Sequence, residues 1–153
     1  MRNGEMEKLR KPTTFRRRST VDVVVRFILD TMKTVAVIGA SSDRRKFGNK
    51  ALRAFTKAGF RTIPITPSHD RVEGQQAYPT VLDVPETIDM ATVYVPPDVG
   101  VRLLDGIAAK GIVEVWFNPG AATPDLISRA RALGLRPIEE CSILGIGMSP
   151  SEF

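Results

Sequence analysis

The stretch KTVAVIGASSDRRKFGN, residues 33–49, decides the fold of this chain. Residues 33–38 form a short apolar, β-branched run, which is typical of a strand buried on both faces. Residues 39–46 follow as a polar turn that contains a glycine, and residues 47–58 show the apolar spacing of a helix that ends at Gly59. A strand, a turn and a helix in this order predict the first βα unit of a parallel sheet.

The rest of the chain repeats this alternation of short strands and helices. Further strands are predicted at residues 61–65, 91–95, 113–117 and 136–139. Helices are predicted at residues 98–110 and 124–133, with a short one near residues 80–84. The pattern predicts a single α/β domain over residues 32–153, with a Rossmann-like open parallel five-stranded sheet and helices on both faces. Pro64 is awkward in this scheme, because it cannot donate a ladder hydrogen bond inside its strand.

Length and composition place the chain among ordinary globular proteins. The 153 residues suit one domain, and 42% hydrophobic with 25% charged residues is a typical balance. A lone cysteine, Cys141, excludes an internal disulfide, and no apolar run approaches the roughly 20 residues of a membrane span. The N-terminus also lacks the apolar core of a signal peptide. A cytoplasmic protein without membrane association is therefore expected.

The net charge of +5 is concentrated at the N-terminus. Residues 1–31 hold eight Lys and Arg against four acids, whereas the remaining 122 residues hold 14 against 13. A groove for a nucleic-acid backbone needs a basic face on the folded domain itself. Because the domain is nearly neutral, no nucleic-acid partner is expected.

Residues 1–31 are predicted to be a basic, disordered extension, in which only residues 21–29 are apolar enough for a short strand or a helical turn. One hypothesis is that the start is misassigned and that Met32 is the initiator, because the first strand follows it at once. A basic tail that binds an acidic surface and an organellar transit peptide are the alternatives.

Ligands of an open parallel sheet bind outside the carboxyl ends of its strands, so the loop after the first strand is the most informative. Gly39 lies where a bulky side chain would block a pyrophosphate, while Ser41 and Ser42 offer hydroxyl donors. The helix start at Gly48 and Asn49 adds free N–H groups that favour an anion. The motif is neither a Walker A loop nor an intact G-x-G-x-x-G, and an ordinary turn with a solvated basic patch is the alternative.

The end of the second strand argues against NAD as the ligand. An NAD site usually has Asp or Glu there to hold the ribose hydroxyls, whereas residues 63–67 read IPITP and contain no acid. Arg71 could serve a 2′- or 3′-phosphate, which leaves NADP and coenzyme A (CoA) open as ligands. A surface position in a loop is the alternative for this arginine.

Six segments carry a resemblance to a known family: VAVIGAS at 35–41, KFGN at 46–49, IPITP at 63–67, VYVPP at 93–97, WFNPG at 116–120, and Glu140-Cys141. Between them lie further matches at Gly74, Tyr78-Pro79 and Val84-Pro85. In this order and spacing they resemble the small CoA-binding domain proteins, which are stand-alone relatives of the N-terminal domain of the succinyl-CoA synthetase α-subunit. The resemblance covers about residues 32–145, and the basic extension has no counterpart.

This resemblance implies a Rossmann fold that binds CoA, with site residues carried over by position. The first loop and the helix start would contribute Gly39, Ala40, Ser41, Ser42, Lys46, Phe47, Gly48 and Asn49, of which Gly39, Ser41 and Ser42 would meet the phosphates. Thr66 and Pro67 would lie near the adenosine, and the middle of the channel would be lined by Tyr94, Val95, Pro96 and Pro97. The pantetheine arm would lie near Asn118, Pro119 and Gly120.

The resemblance supplies neither a catalytic residue nor a metal ligand. The synthetases use a phosphorylated histidine in a following domain, which these residues do not include, and His69 is expected to be a surface residue. Cys141 is followed by Ser142, where the family often has Pro. This cysteine is expected to be a small residue at a strand end. The alternative is a thiol close to that of CoA, where a mixed disulfide could form.

The expected function is therefore that of a non-catalytic CoA- or acyl-CoA-binding protein, such as a carrier, a sensor or a subunit of a larger enzyme. A homodimer or an association with a larger enzyme is the expected assembly. One alternative is an NADP- or other nucleotide-dependent enzyme on the same fold, which would need an acid–base constellation that the sequence does not offer. The other is an interaction module with a vestigial nucleotide site.

Overall fold

A computed structural model describes residues 19–153 of the chain, which separate into two units. The first contains the helix α1 (Thr20–Thr31), and the second is the compact unit Met32–Phe153. Helix α1 is longer than the helical turn that the sequence predicts for this segment. The disordered extension stays a prediction for residues 1–18, which lie outside the described residues. Across the described part of the chain, no helix has the length and apolar character needed to cross a bilayer.

Parallel strands form the main sheet of the compact unit. In chain order the strands are β1 Thr34–Ile38, β2 Arg61–Ile65, β3 Arg71–Val72, β4 Gln75–Gln76, β5 Met90–Val93, β6 Glu114–Phe117 and β7 Arg136–Ile138. The main sheet has the order β2-β1-β5-β6-β7, and β3 pairs only with β4 in a separate antiparallel hairpin. All residues of β1 and β5 are buried, which explains their continuous apolar sequence. The predicted open five-stranded parallel sheet is confirmed.

Helices cover both faces of this sheet, as predicted. They are α2 Phe47–Lys57, α3 Pro97–Ala109, α4 Pro124–Ala132 and α5 Ser142–Gly145. On one face, Leu104 of α3 belongs to a core that includes Ile38 of β1. On the other face, Phe55 of α2 and Ile143 of α5 belong to a core that includes Val37. Val37 and Ile38 are neighbours in β1 and enter different cores, because successive strand residues point to opposite faces.

The β3–β4 hairpin is not predicted from the sequence, because strands of two residues are too short for an alternating pattern. The predicted short helix is a 3₁₀ turn at Val81–Asp83. Strand β5 ends at Val93, two residues earlier than predicted. Pro64 is accommodated because β2 lies at the edge of the sheet, where its missing N–H breaks no ladder on the open side.

Candidate functional site

The strand order reverses between β1 and β5, because the chain crosses from β1 to β2 on one side and later enters β5 on the other. Sheets of this kind bind ligands in the crevice at such a switch point, outside the carboxyl ends of the strands. A cavity of about 700 Å³ opens there. It is lined by Gly39, Ala40, Ser41, Lys46, Phe47, Gly48, Thr66, Ser68, His69, Val93, Tyr94, Val95, Pro96, Asn118, Pro119, Gly120, Ala121 and Cys141.

Most of the site residues predicted from the sequence therefore share one cavity. Four predicted residues do not line it: Ser42, Asn49, Pro67 and Pro97. Five residues line it that were not among the predicted site residues: Ser68, His69, Val93, Ala121 and Cys141. Their ligand contacts stay a prediction, since the cavity is defined by the protein atoms alone. His69 is exposed, as expected, and it also borders the cavity.

The loop that joins β1 to α2, residues 39–46, is called the first loop here, and two glycines set its geometry. Gly39 has a φ of +89°, and a Cβ placed there would lie 3.0 Å from the backbone carbon and oxygen of Tyr94. A Cβ on Gly48 would lie 2.1 Å from the carbonyl oxygen of Gly39. The start of α2 therefore packs directly on the end of β1, at a distance that only glycine permits.

Asn49 supports the first loop from behind rather than facing the cavity. Its side chain is fully buried, and its Nδ2 donates to the carbonyl oxygen of Ser41 at 2.8 Å and to Glu73 Oε1 at 3.0 Å. Its Oδ1 accepts from Arg53 Nε at 2.7 Å. The amide of Asn49 is occupied by protein partners, and its predicted ligand contact stays a prediction.

Two of the three consecutive cations in the first loop are paired with carboxylates. Arg44 Nε lies 3.3 Å from Glu73 Oε1, and Arg45 binds Asp43 with two side-chain hydrogen bonds of 3.0 Å. These side-chain bonds, together with the Arg45 backbone N–H, lower the pKa of Asp43 to about 2. Among the described residues, Lys46 makes no ion pair, and it lines the cavity. Lys46 is thus the cation of this loop that remains available to a bound anion.

The first turn of α2 adds backbone donors next to Lys46. The N–H groups of Phe47 and Gly48 have no hydrogen-bond partner among the described residues, and both residues line the cavity. Free N–H groups and the positive end of the helix dipole favour an anion at a helix start. This end of the cavity therefore has the chemistry of a phosphate site.

The end of β2 contributes polar groups without a carboxylate. Thr66, Ser68 and His69 line the cavity there, and Ser68 N donates to Thr66 Oγ1 at 3.3 Å. Arg71 lies in the β3–β4 hairpin, where its guanidinium donates to the carbonyl oxygen of Gly74 at 3.0 Å. It is not among the residues that line the cavity. Arg71 is therefore a surface residue of the hairpin.

A buried polar network supports the opposite end of the cavity. It consists of Thr92, Tyr94, Asn118 and Ser142, and it joins β5, the end of β6 and α5. Asn118 Nδ2 donates to Thr92 Oγ1 at 2.7 Å and to the carbonyl oxygen of Val93 at 2.9 Å. Asn118 Oδ1 accepts from Ser142 N at 2.9 Å and from Ser142 Oγ at 3.1 Å. The amide of Asn118 is thus saturated by protein groups.

This network fixes the start of α5, and with it Cys141. Ser142 Oγ also lies 2.7 Å from Thr92 Oγ1 and 3.0 Å from the hydroxyl of Tyr94. Burial raises the pKa of Tyr94 to about 12. The half-buried Cys141 directly precedes α5 and lines the cavity. The sequence pattern offered no signal for this network, because Thr92 is an ordinary β-branched strand residue.

The cavity therefore joins two chemically different ends. Backbone N–H groups and Lys46 line one part of the cavity, whereas Val93, Val95 and Ala121 add apolar surface to it. An elongated ligand with a phosphate group and a less polar arm matches this distribution.

Comparison with known proteins agrees with that chemistry. A family model described as a CoA binding domain matches residues 33–147. The ADP-forming acetate–CoA ligase of Methanocaldococcus jannaschii is 35% identical over 80 residues, which cover 52% of this chain and 11% of the ligase. The α-subunit of ADP-forming acetate–CoA ligase I of Pyrococcus furiosus is 26% identical over 136 residues, which cover 78% of this chain and 29% of the subunit. The chain thus spans less than a third of either ligase relative.

A solved structure matches this chain over a larger share of its own length than the ligases do. A conserved hypothetical protein from Pyrococcus furiosus is 28% identical to this chain and superposes with a TM-score of 0.70. The match covers 74% of this chain and 99% of that protein. The fold described above is therefore also found as a structure of about one domain.

Proposed function

The chain belongs to the CoA-binding domain family, and from that membership we propose that it is a non-catalytic protein that binds CoA or acyl-CoA in the cavity at the switch point. The observation that carries this proposal is the α2 end of the cavity. Close glycine packing brings backbone N–H groups there beside Lys46, which has no ion pair among residues 19–153. The pyrophosphate would lie on the first loop, at the free N–H groups of Phe47 and Gly48.

The remaining parts of the ligand would follow the two walls of the cavity. The adenosine end would lie by Thr66 at the end of β2, where Ser68 and His69 supply polar contacts. The pantetheine arm would follow the segment from Tyr94 to Pro96 toward the polar network and Cys141. This direction places the phosphates at the N–H groups and the less polar arm at the apolar wall.

The non-catalytic part of the proposal is supported by the ionisable groups of the cavity. Those that line it are Lys46, His69, Tyr94 and Cys141. Among the described residues, no hydrogen bond joins any two of these side chains, and the hydroxyl of Tyr94 is bonded to Ser142 instead. Activation of a nucleophile such as Cys141 by a general base needs the two side chains within hydrogen-bond reach. A binding role is the simpler match, and a homodimer or an association with a larger enzyme stays a prediction.

A thermal-shift and calorimetric titration against CoA, acetyl-CoA, NAD, NADP and ATP tests the ligand. A ligand at about 100 times its Kd stabilises the folded state by roughly 2.7 kcal/mol. For a domain of this size, that corresponds to a rise in Tm of several degrees. We expect the rise with CoA and acetyl-CoA and none with NAD. A rise in Tm with NAD or NADP alone contradicts the proposal. The absence of a rise with every ligand tested contradicts it as well.

The variant Gly39→Glu tests where the pyrophosphate lies. It places bulk and negative charge at the end of β1 and should weaken CoA binding ~100-fold or more, because like charges in contact cost several kcal/mol. Gly59→Glu is the matched control, because Gly59 has a similar φ of +91° and open space around its Cβ position. Lys46→Glu adds the same repulsion without backbone strain. A folded Gly39→Glu or Lys46→Glu variant with unchanged affinity removes the pyrophosphate assignment.

A further inference from the structure

The β3–β4 hairpin touches the first loop through the side chain of Glu73. The Oε1 atom of Glu73 accepts from Asn49 Nδ2 at 3.0 Å and lies 3.3 Å from Arg44 Nε. Asn49 Nδ2 also donates to the carbonyl oxygen of Ser41 in the first loop, at 2.8 Å. A continuous chain of hydrogen bonds therefore links the tip of the hairpin to the backbone of the loop.

The positive φ of Glu73 belongs to the turn of the hairpin. Glu73 has a φ of +49°, and it is the described non-glycine residue with a positive φ. Glu73 and Gly74, which has a φ of +73°, form the two-residue turn between β3 and β4, and a hairpin turn of this kind needs a positive φ at both positions. Its carboxylate is only partly exposed and carries two partners from the first-loop region. The hairpin turn is thus anchored by the loop that it contacts.

Asn49 depends on Glu73 for complete hydrogen bonding. Asn49 is fully buried, and its two Nδ2 hydrogens are used by Ser41 and Glu73. Removal of the Glu73 carboxylate leaves one buried N–H without a partner, which favours a reorientation of the amide. The amide of Asn49 would then release the Ser41 carbonyl oxygen.

The direction of the Ser41 carbonyl matters for an anion at this loop. In a trans peptide the C=O of one residue and the N–H of the next point in opposite directions. While Asn49 holds the Ser41 carbonyl oxygen, the Ser42 N–H points away from Asn49. Among the described residues, this N–H has no hydrogen-bond partner. The orientation of the peptide between Ser41 and Ser42 therefore depends on Asn49, and this peptide meets the cavity through Ser41, since Ser42 does not line it.

We propose that Glu73 is a positioning residue for the ligand-binding loop, acting through the hydrogen bond from Asn49 and not through its charge. This inference rests on the proposed function, because it assigns the first loop to the ligand phosphates. The charge of Glu73 works against an anionic ligand, since it also holds the Arg44 guanidinium in an ion pair. The hydrogen bond and the charge can therefore be separated by substitution.

The pair Glu73→Gln and Glu73→Ala makes this separation. Both variants remove the negative charge, and both keep a non-glycine residue at the positive φ, so these effects cancel in the comparison. Glutamine retains an oxygen that can accept from Asn49, whereas alanine does not. We expect Glu73→Ala to bind CoA about tenfold more weakly than Glu73→Gln by calorimetry, which corresponds to roughly 1.4 kcal/mol. Glu73→Gln should bind at least as tightly as the unaltered protein.

A readout without ligand distinguishes this inference from the proposed function. Hydrogen exchange of the peptide that covers residues 39–47 should become faster in Glu73→Ala and stay unchanged in Glu73→Gln. Glu73→Gly is the second variant, because it removes the carboxylate and also relieves the backbone strain, so it should fold and still show the faster exchange. Arg71→Ala is the control within the hairpin, because Arg71 contacts the carbonyl oxygen of Gly74 and not the first loop.

Two results overturn the inference. One is equal exchange in Glu73→Ala, Glu73→Gly and the unaltered protein. The other is an equal loss of affinity in Glu73→Gln and Glu73→Ala, which would assign the effect to charge. If the unaltered protein does not bind CoA, the proposed function fails, and the positioning role is then judged on the exchange data alone.

Discussion

The two ends of the cavity are built in opposite ways. At the first loop the wall is backbone, which the glycines at 39 and 48 allow to pack at a distance that a Cβ would block. At the Cys141 end the wall is held by the side chains of the polar network, with Asn118 at its centre. The protein should therefore lose stability when atoms are added at the first end and when side-chain atoms are removed at the second. Substitutions at each end test this contrast.

Gly48→Ala should have the largest effect on stability. The added Cβ would lie 2.1 Å from the carbonyl oxygen of Gly39, so α2 or the loop must shift, at a cost of about 3 kcal/mol. Gly106→Ala is the matched control, because Gly106 also lies in a helix and its Cβ would contact only the flexible Leu82 side chain at 3.6 Å. Urea denaturation should show Gly106→Ala equal to or more stable than the unaltered protein. Equal midpoints for the two variants would refute the close packing.

Asn118→Ala should have the next largest effect. It leaves the buried Ser142 N–H without its partner and removes the donor to Thr92, at a cost of roughly 2 kcal/mol. Thr92→Val is the graded comparison, because it deletes one hydroxyl while Asn118 still bonds to the carbonyl oxygen of Val93 and to Ser142. Urea denaturation should place Thr92→Val between Asn118→Ala and the unaltered protein. A larger loss for Thr92→Val would show that Asn118 is not the centre of the network.

The smallest effect concerns Tyr94 and appears at high pH. Because its pKa is raised from 10.0 to about 12 on folding, its contribution to stability is complete below pH 10 and falls as the pH rises from 10 to 12. Tyr94→Phe should remove this part of the pH dependence of the unfolding midpoint, while Tyr78→Phe should retain it. Measurements at pH 8, 10 and 11 compare the slopes. A slope that Tyr94→Phe leaves unchanged would contradict the burial of this hydroxyl.

The same contrast explains what the sequence could predict. The backbone-built end follows from a local pattern, so residues 33–49 were sufficient to predict β1, the glycine turn and the start of α2. The sequence does not show which polar residues of this end have protein partners. Asn49 was predicted as a ligand contact, yet its amide holds Ser41 and Glu73, and the latter lies in a hairpin too short to be recognised.

The side-chain-built end depends on contacts between residues distant in the chain. Thr92 and Ser142 are 50 positions apart, and no local spacing indicates that their hydroxyls meet. Asn118 lines the cavity, but only the structure shows that its amide is saturated by protein groups. Cys141 lines the cavity for the same reason, since the network fixes the helix start beside it.

The switch-point cavity has a consequence for folding kinetics. Its walls come from the ends of all five strands of the main sheet, from Gly39 to Cys141, and β1 must pair with both β2 and β5 before they meet. Such pairings are distant in sequence, so they form late and together. A ligand that needs every wall recognises only the assembled sheet, and CoA is therefore expected to slow unfolding while leaving the folding rate unchanged.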